Sequence, residues 1–431
     1  MENYIVNRSF LTLSVIDYVV IGLSLSLAVA IGIFFAWKDR NQSKNVDNFL
    51  MASRSLPPIP IALSLTTSFI SAITVLGTPV EFYRYGTMFT WFILCYLISC
   101  LFACVIVAKI YDKKISSSFD FLGQRYDSQL IRNLTLVTNY VQTLLYSGVA
   151  MYSPAIAVQE AAGLDYWLAI LITGVICIFY TTIGGLKAVV WTDSLQLIFL
   201  VCGFVALVAQ SWVDFGSFSD IWEVSKNGSR IEFLDMDIDP RTRHSIWSIV
   251  IGGTFGVWGW TYCASQAQIQ RYVSCNSKKN SQTALMINWV LLAIITVLCG
   301  MCGLGMYAYF AGCDPASAGW VGAVDQLIPY WSLVILEDSP GLTGLYIAGA
   351  FAGTLSTLST SINALATVTL EDVVKTFVEK KKMYSVEVYY PYIAKGLVVF
   401  FGAAIVAISF VVQYLGSIVQ AALSMGLIQK S

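Results

Sequence analysis

Residues 352 to 363 read AGTLSTLSTSIN and lie inside an apolar stretch from about Leu342 to Val368. Six of these twelve side chains are hydroxyls: Thr354, Ser356, Thr357, Ser359, Thr360 and Ser361. Gly353, Ser356 and Thr357 stand at i, i+3 and i+4, which puts them on one face of a helix. Glycine leaves its carbonyl approachable, and the two hydroxyls add side-chain oxygens. Oxygen ligands are what a hard cation takes. A second stretch, LSLTTSFISAITVLGTP at 63 to 79, carries Ser64, Thr66, Thr67, Ser68, Ser71 and Thr74, with Gly77 and Pro79 at its end. A break in that helix would free carbonyls such as those of Thr67 and Ile70 beside the first set. Neither stretch holds a carboxylate, which a divalent ion or a proton relay normally recruits. Neutral oxygens alone suit a weakly held monovalent ion such as Na⁺. The competing reading is plain packing: small residues let membrane helices approach closely, and their hydroxyls bond carbonyls four residues back. The clustering on two helices, against fewer hydroxyls in 166–184, favours the site.

These residues need a bilayer scaffold to position them. The 431-residue chain is 57% hydrophobic and 12% charged, with a net charge of −1 and a mean hydropathy of +0.70. Soluble domains are about one quarter charged, so the composition implies a polytopic, all-α membrane protein. Nothing in the charge balance calls for nucleic acid. The ten cysteines form no paired C-x-x-C clusters and mostly lie in apolar runs, and the single His244 reads as a loop residue, so neither a disulfide framework nor a transition-metal site is expected. A spanning helix needs about 20 apolar residues. Eleven candidates meet or approach that: 15–37, 57–79, 88–110, 133–157, 166–184, 189–211, 246–268, 284–312, 342–366, 391–412 and 415–428. Alternate loops divide Lys and Arg eighteen to six, and the rich set, which includes Arg271, belongs in the cytoplasm. The N-terminus is then outside, as are the glycosylation sequons at Asn7 and Asn227.

The seventh span, IGGTFGVWGWTYCASQ at 251 to 266, is weakened by Gly252, Gly253, Gly256 and Gly259. It follows the second by five helices. Interrupted helices in matching positions of two inverted repeats mark the midplane binding site of many secondary transporters. The expected organisation is therefore residues 1–56 as an outside segment, helix 1 and the first inner loop. Residues 57–211 form the first five-helix repeat, 212–245 an outer loop, 246–428 the second repeat and 429–431 a tail. An anionic solute would gain from the positive ends of half-helices. No His/Asp/Glu cluster, P-loop or nucleophile elbow is present, so no catalytic residue and no enzyme activity is expected.

The turn TIGGLKAVVWTDSLQ at 182 to 196 resembles the hallmark of the sodium:solute symporter family. NFLMASRSLPPIPIALSLTTSF, SAITVLGTPVEFYRYG, QTLLYSGVAMYSPA, QAQIQRYVSC and AGTLSTLSTSINALATVTLEDV resemble its branch of monocarboxylate, iodide and multivitamin transporters, over about Asp17 to Ser424. The resemblance implies a LeuT-like inverted-repeat core with one preceding helix, Na⁺ as coupling ion, no other cofactor, and the plasma membrane as location. By position it implies a sodium site of Thr67, Ile70, Gly353, Ser356 and Thr357, the set that spacing also reaches. It implies a substrate cavity near Phe69, Ser71, Thr74, Tyr146 and Trp258. Thr74 is similar to the monocarboxylate branch, whereas iodide carriers tend to have Gln there.

Two departures stand out. Helix 7 usually reads Tyr-Gly-x-Asn-Gln in this branch; here it reads Tyr262-Cys263-Ala264-Ser265-Gln266, after an FGVWGW one residue longer than usual. GSIVQAALSMG, 416 to 426, resembles the start of the last core helix, and the chain then ends at LIQKS. That leaves 14 residues, 415–428, for the final span, so the second repeat is expected to be C-terminally truncated. The leading expectation is a sodium-coupled symporter of a small organic anion, foremost a monocarboxylate, working by alternating access. The alternatives are a vitamin, iodide or sugar carrier and, in another class, a truncated non-transporting or regulatory isoform.

Overall fold

Lipid-exposed backbone must satisfy its N–H and C=O groups internally, which leaves helices as the usual spanning element. In the computed structural model the described residues are 13–38, 46–112, 117–163, 165–239, 241–322 and 324–412. Among them there are helices and no strand, apart from one isolated bridge between Leu56 and Cys275. Six helical segments are long and apolar enough to cross a membrane, or seven if one bent pair counts as a single span. Asn7 and the expected last span, 415–428, lie outside the described residues.

The first long helix, α1 (Val15–Lys38), is followed by the short α2 (Val46–Met51). Then come α3 (Pro58–Phe69) and α4 (Ala72–Tyr85), bent by 65° relative to each other. This is the expected broken helix, but the break is not where glycine and proline stand. Pro79 lies inside α4, and the chain leaves helical geometry at Ile70 (φ −97, ψ 82) and Ser71 (φ −71, ψ 167). No Gly or Pro occupies those two positions; the partners described below hold the break open.

α5 (Phe92–Asp112), α6 (Ser118–Tyr126) and α7 (Gln129–Ala162) lead to α8 (Tyr166–Phe215). Fifty residues of helix would be about 75 Å long, against about 30 Å of hydrocarbon. Gly185 resolves this: at φ 58, ψ −160 it lies where side chains are disfavoured, and a Cβ there would sit 2.6 Å from the Phe49 carbonyl oxygen. The expected tight turn at Gly184–Gly185 therefore divides α8 into two helices.

After α9 (Phe218–Asn227) the chain passes the end of α4, where Arg230 Nε donates to Tyr83 O. Thr87 donates its N–H to Arg230 O, and Trp91 donates its indole N–H to Phe233 O. His244 is not isolated: its Nε2 lies 3.2 Å from Glu81, beside Arg243, and its ring packs edge-on to Tyr85 and Phe89.

Residues 248–258 wind as a π-helix, followed by α10 (Gly259–Cys263), a break at Ala264–Ser265 and α11 (Gln266–Val273). The glycine run expected to interrupt this helix is therefore wound wide, and the interruption comes after it.

α12 (Lys278–Tyr309), α13 (Leu327–Ile335), α14 (Leu342–Val368), α15 (Thr376–Lys381) and α16 (Tyr390–Val412) complete the bundle. All but Leu342 and Leu345 of the 27 residues of α14 are buried. It lies against both halves of α8, α1, α7 and α3. A Cβ on Gly203 of α8 would come 2.8 Å from Tyr346 Cα, and one on Gly349 would come 2.9 Å from Leu200 Cα. Small residues thus bring the two backbones together and place the hydroxyl-rich α14 at the centre.

Candidate functional site

The break between α3 and α4 faces the hydroxyl stripe of α14. A Cβ built on Gly353 would lie 2.9 Å from Ile70 O, 3.2 Å from Ala72 N and 3.3 Å from Ser71 C. The free ends of both half-helices therefore rest on Gly353. Ser68 Oγ is 3.3 Å from Ser356 Oγ and 3.2 Å from Thr360 Oγ1. Thr357 donates its hydroxyl to Gly353 O at 2.9 Å. Thr67 donates its hydroxyl to Leu63 O and Asp193 O, each at 2.9 Å. A hydroxyl whose proton is committed to a carbonyl presents only lone pairs outward, the form a cation needs. The packing role and the ligand role of these hydroxyls are thus compatible. α3 ends here with Ile70 N–H bonded to Thr66 O, leaving its later carbonyls without intrahelical donors; beyond the break, Thr74 and Val75 donate their N–H groups to Ser71 O and open α4.

The structure adds a carboxylate that the two hydroxyl stretches lack. Asp193, in the second half of α8, is fully buried, as is Arg271 of α11. Arg271 Nη2 lies 2.8 Å from Asp193 Oδ2, its Nε donates to Ser64 Oγ at 2.7 Å, and it also bonds Thr360. Ser64 in turn donates to Asp193 Oδ2 at 2.6 Å. Arg271, counted in the sequence among the inner loop charges, is therefore an interior residue. A lone Asp in an apolar run is a signal of an intramembrane site; its partner, 78 residues away, carries no such local signal. The pair is charge-balanced, so the surroundings of the hydroxyl cluster remain neutral overall.

The expected substrate residues fall on two sides of the break. Phe69, Thr74 and Trp258 line a narrow cavity, with Ile70, Tyr96 and Thr296 among its other walls. Phe69 stacks on Tyr262 with centroids 4.4 Å apart, and Trp258 meets Tyr96 edge-on at 4.7 Å. Trp258 Nε1–H is buried with no hydrogen-bond partner among the described residues. Ser71 and Tyr146 lie apart from this wall: Tyr146 of α7 donates its hydroxyl to Ser71 Oγ at 3.0 Å, at the N-terminus of α4. Asn227, at the end of α9, is exposed.

The sequence profile of the sodium:solute symporter family matches residues 49–427. The chain belongs to this family. It is 42% identical over 412 residues to sodium-coupled monocarboxylate transporter 1 of Xenopus laevis, covering 95% of this chain and 65% of that protein. It is 42% identical over 422 residues to the human protein of that name, covering 97% of this chain and 67% of that one. To the human sodium/iodide cotransporter it is 38% identical over 401 residues, covering 93% and 61%. The chain thus spans about two thirds of the length of these relatives. A solved structure of a Na⁺-coupled sialic acid symporter, substrate-bound and outward-open, superposes with a TM-score of 0.80 at 20% identity, over 96% of this chain and 85% of that one. The symporter fold is therefore shared, and these relatives are transporters rather than enzymes.

Proposed function

We propose that this chain is a sodium-coupled symporter of a small organic anion, a monocarboxylate, working by alternating access between two inverted five-helix repeats. In this reading the eleven expected spans form the bundle, the N-terminus is outside, and the protein resides in the plasma membrane. Residues Thr67, Ile70, Gly353, Ser356 and Thr357 hold Na⁺. The observation that carries the reading is the 65° break of α3–α4 seated on Gly353, with Ser68 bridging to Ser356 and Thr360. The likeness to monocarboxylate transporters supports the solute class. So does the cavity: aromatic and aliphatic walls, a few threonine hydroxyls and one free indole N–H suit a small anion with a short apolar tail. A sugar carrier would need more hydrogen-bonding groups on its walls. The N-terminus of α4, beside Ser71 and Tyr146, supplies the positive partial charge a carboxylate seeks.

Charge bookkeeping links mechanism to measurement. One Na⁺ carried with one monoanion moves no net charge, so only the sodium concentration ratio drives it, ~1.4 kcal/mol per tenfold. Each further Na⁺ adds ~2.3 kcal/mol per 100 mV of membrane potential. The test is uptake of labelled lactate in oocytes, with and without sodium. It uses this chain, a full-length relative beside it, and the Ser356→Ala/Thr357→Ala double variant of this chain. Sodium-dependent uptake that the double substitution abolishes is expected. Uptake indifferent to sodium, or failure of lactate against iodide, vitamins or sugars as competitors, overturns the reading.

A further inference from the structure

Two interrupted helices must report to each other if cation and solute are to move together, and one side chain touches both. Asn288 of α12 is fully buried. Its Oδ1 accepts the Tyr262 hydroxyl of α10 at 2.8 Å, and its Nδ2 donates to Thr66 Oγ1 of α3 at 3.0 Å. Thr66 passes its own hydroxyl proton to Ala62 O at 2.8 Å. Tyr262 and Thr66 are themselves fully buried, so the chain Tyr262, Asn288, Thr66, Ala62 runs donor to acceptor without access to water.

Each end of the chain sits on a functional element. Thr66 O accepts the Ile70 N–H at 3.1 Å, the last helical bond before the break, and Thr67 and Ile70 are the proposed cation carbonyls. A displacement of Thr66 therefore moves the turn that carries both. At the other end, the Tyr262 ring stacks on Phe69, which lines the solute cavity and meets Trp258 at 5.7 Å. α12 itself continues into the cavity wall through Leu292, Ile295, Thr296 and Cys299, on the same stripe as Asn288. The amide thus rides on an unbroken helix and holds two broken ones in register.

We infer that Asn288 is a positioning residue that couples the cation site to the solute cavity. This rests on the symporter reading above. An amide that merely satisfied the core would affect folding and amount of protein. A coupling amide sets how much solute changes the affinity for sodium, a quantity that is reciprocal between the two ligands.

The experiment uses the purified chain in detergent. Its unfolding temperature is titrated with NaCl against choline chloride, with and without saturating lactate. In the unmutated chain lactate is expected to lower the half-saturating sodium concentration several-fold. Asn288→Leu, of similar size and without polar atoms, should bring that factor close to one and raise half-saturating sodium about tenfold. Tyr262→Phe and Thr66→Val remove one hydroxyl each, at opposite ends of the Asn288 amide. Each should reduce the factor, and the two together should do no more than either alone. A folded Asn288→Leu that retains the full factor overturns the inference. If that variant does not fold, an unchanged factor in both conservative variants overturns it instead. If neither sodium nor lactate affects the unmutated chain, the symporter reading itself fails and takes the inference with it.

Discussion

Replacing Gly353 with alanine tests the proposed cation site at its tightest point. The added methyl would meet Ile70 O at 2.9 Å, with Ala72 N at 3.2 Å and Ser71 C at 3.3 Å. Comfortable non-bonded contact to carbon is about 3.5–4.0 Å, so the chain at the break must yield by roughly half an ångström or more. All three neighbours are backbone atoms, so no rotamer change can relieve the contact. Overpacking of this kind costs about 1–3 kcal/mol. The atom nearest the methyl is a proposed ligand, so much of that cost is expected to fall on cation affinity. An affinity loss of 1–3 kcal/mol is roughly 5- to 150-fold. The assay is a sodium titration of lactate uptake with surface protein quantified by biotinylation. Gly396→Ala serves as control, because nothing lies within 4 Å of its added Cβ. A rise of about tenfold or more in half-saturating sodium is expected for Gly353→Ala and none for Gly396→Ala. Normal surface amounts with unchanged sodium dependence would refute the placement of the ion between Ile70 and Gly353.

Two further outcomes follow from the same geometry. Asp193→Asn or Arg271→Met alone leaves one buried charge without its partner, which costs about 3–5 kcal/mol; the double variant should recover much of the lost unfolding temperature, and a double no more stable than the worse single would show that the pair is not coupled. Asn227→Gln should reduce an endoglycosidase-sensitive mobility shift, and Asn7→Gln/Asn227→Gln should abolish it, if the segment after α8 faces outside; a pattern unchanged by Asn227→Gln would count against the sequon and the orientation together.

Much of the fold was legible in local sequence. Apolar runs gave the helices because a bilayer leaves the backbone no other solution there. Gly184–Gly185 gave the turn inside α8, since only glycine takes φ 58 at no steric cost against Phe49. The i, i+3, i+4 spacing of Gly353, Ser356 and Thr357 put three oxygens on one face because helical periodicity is fixed. The break was expected to free the carbonyls of Thr67 and Ile70, and the chain leaves helical geometry at Ile70–Ser71. Gly77 and Pro79 do not mark it; it is held open by groups far along the chain: Gly353 beneath it, Tyr146 on Ser71, and Ser356 and Thr360 on Ser68. The charged pair shows the same limit. Asp193 is visible as an oddity in an apolar run, but Arg271 looks like any loop cation until α11 folds inward and both lose water. Asn288 is likewise an ordinary polar residue until three helices meet on it. Sequence by itself determined which segments are helical and which faces carry oxygen, because those follow from near-neighbour geometry. Only the tertiary structure decided what holds the break open and which buried groups answer each other, because those depend on contacts between residues tens to hundreds of positions apart.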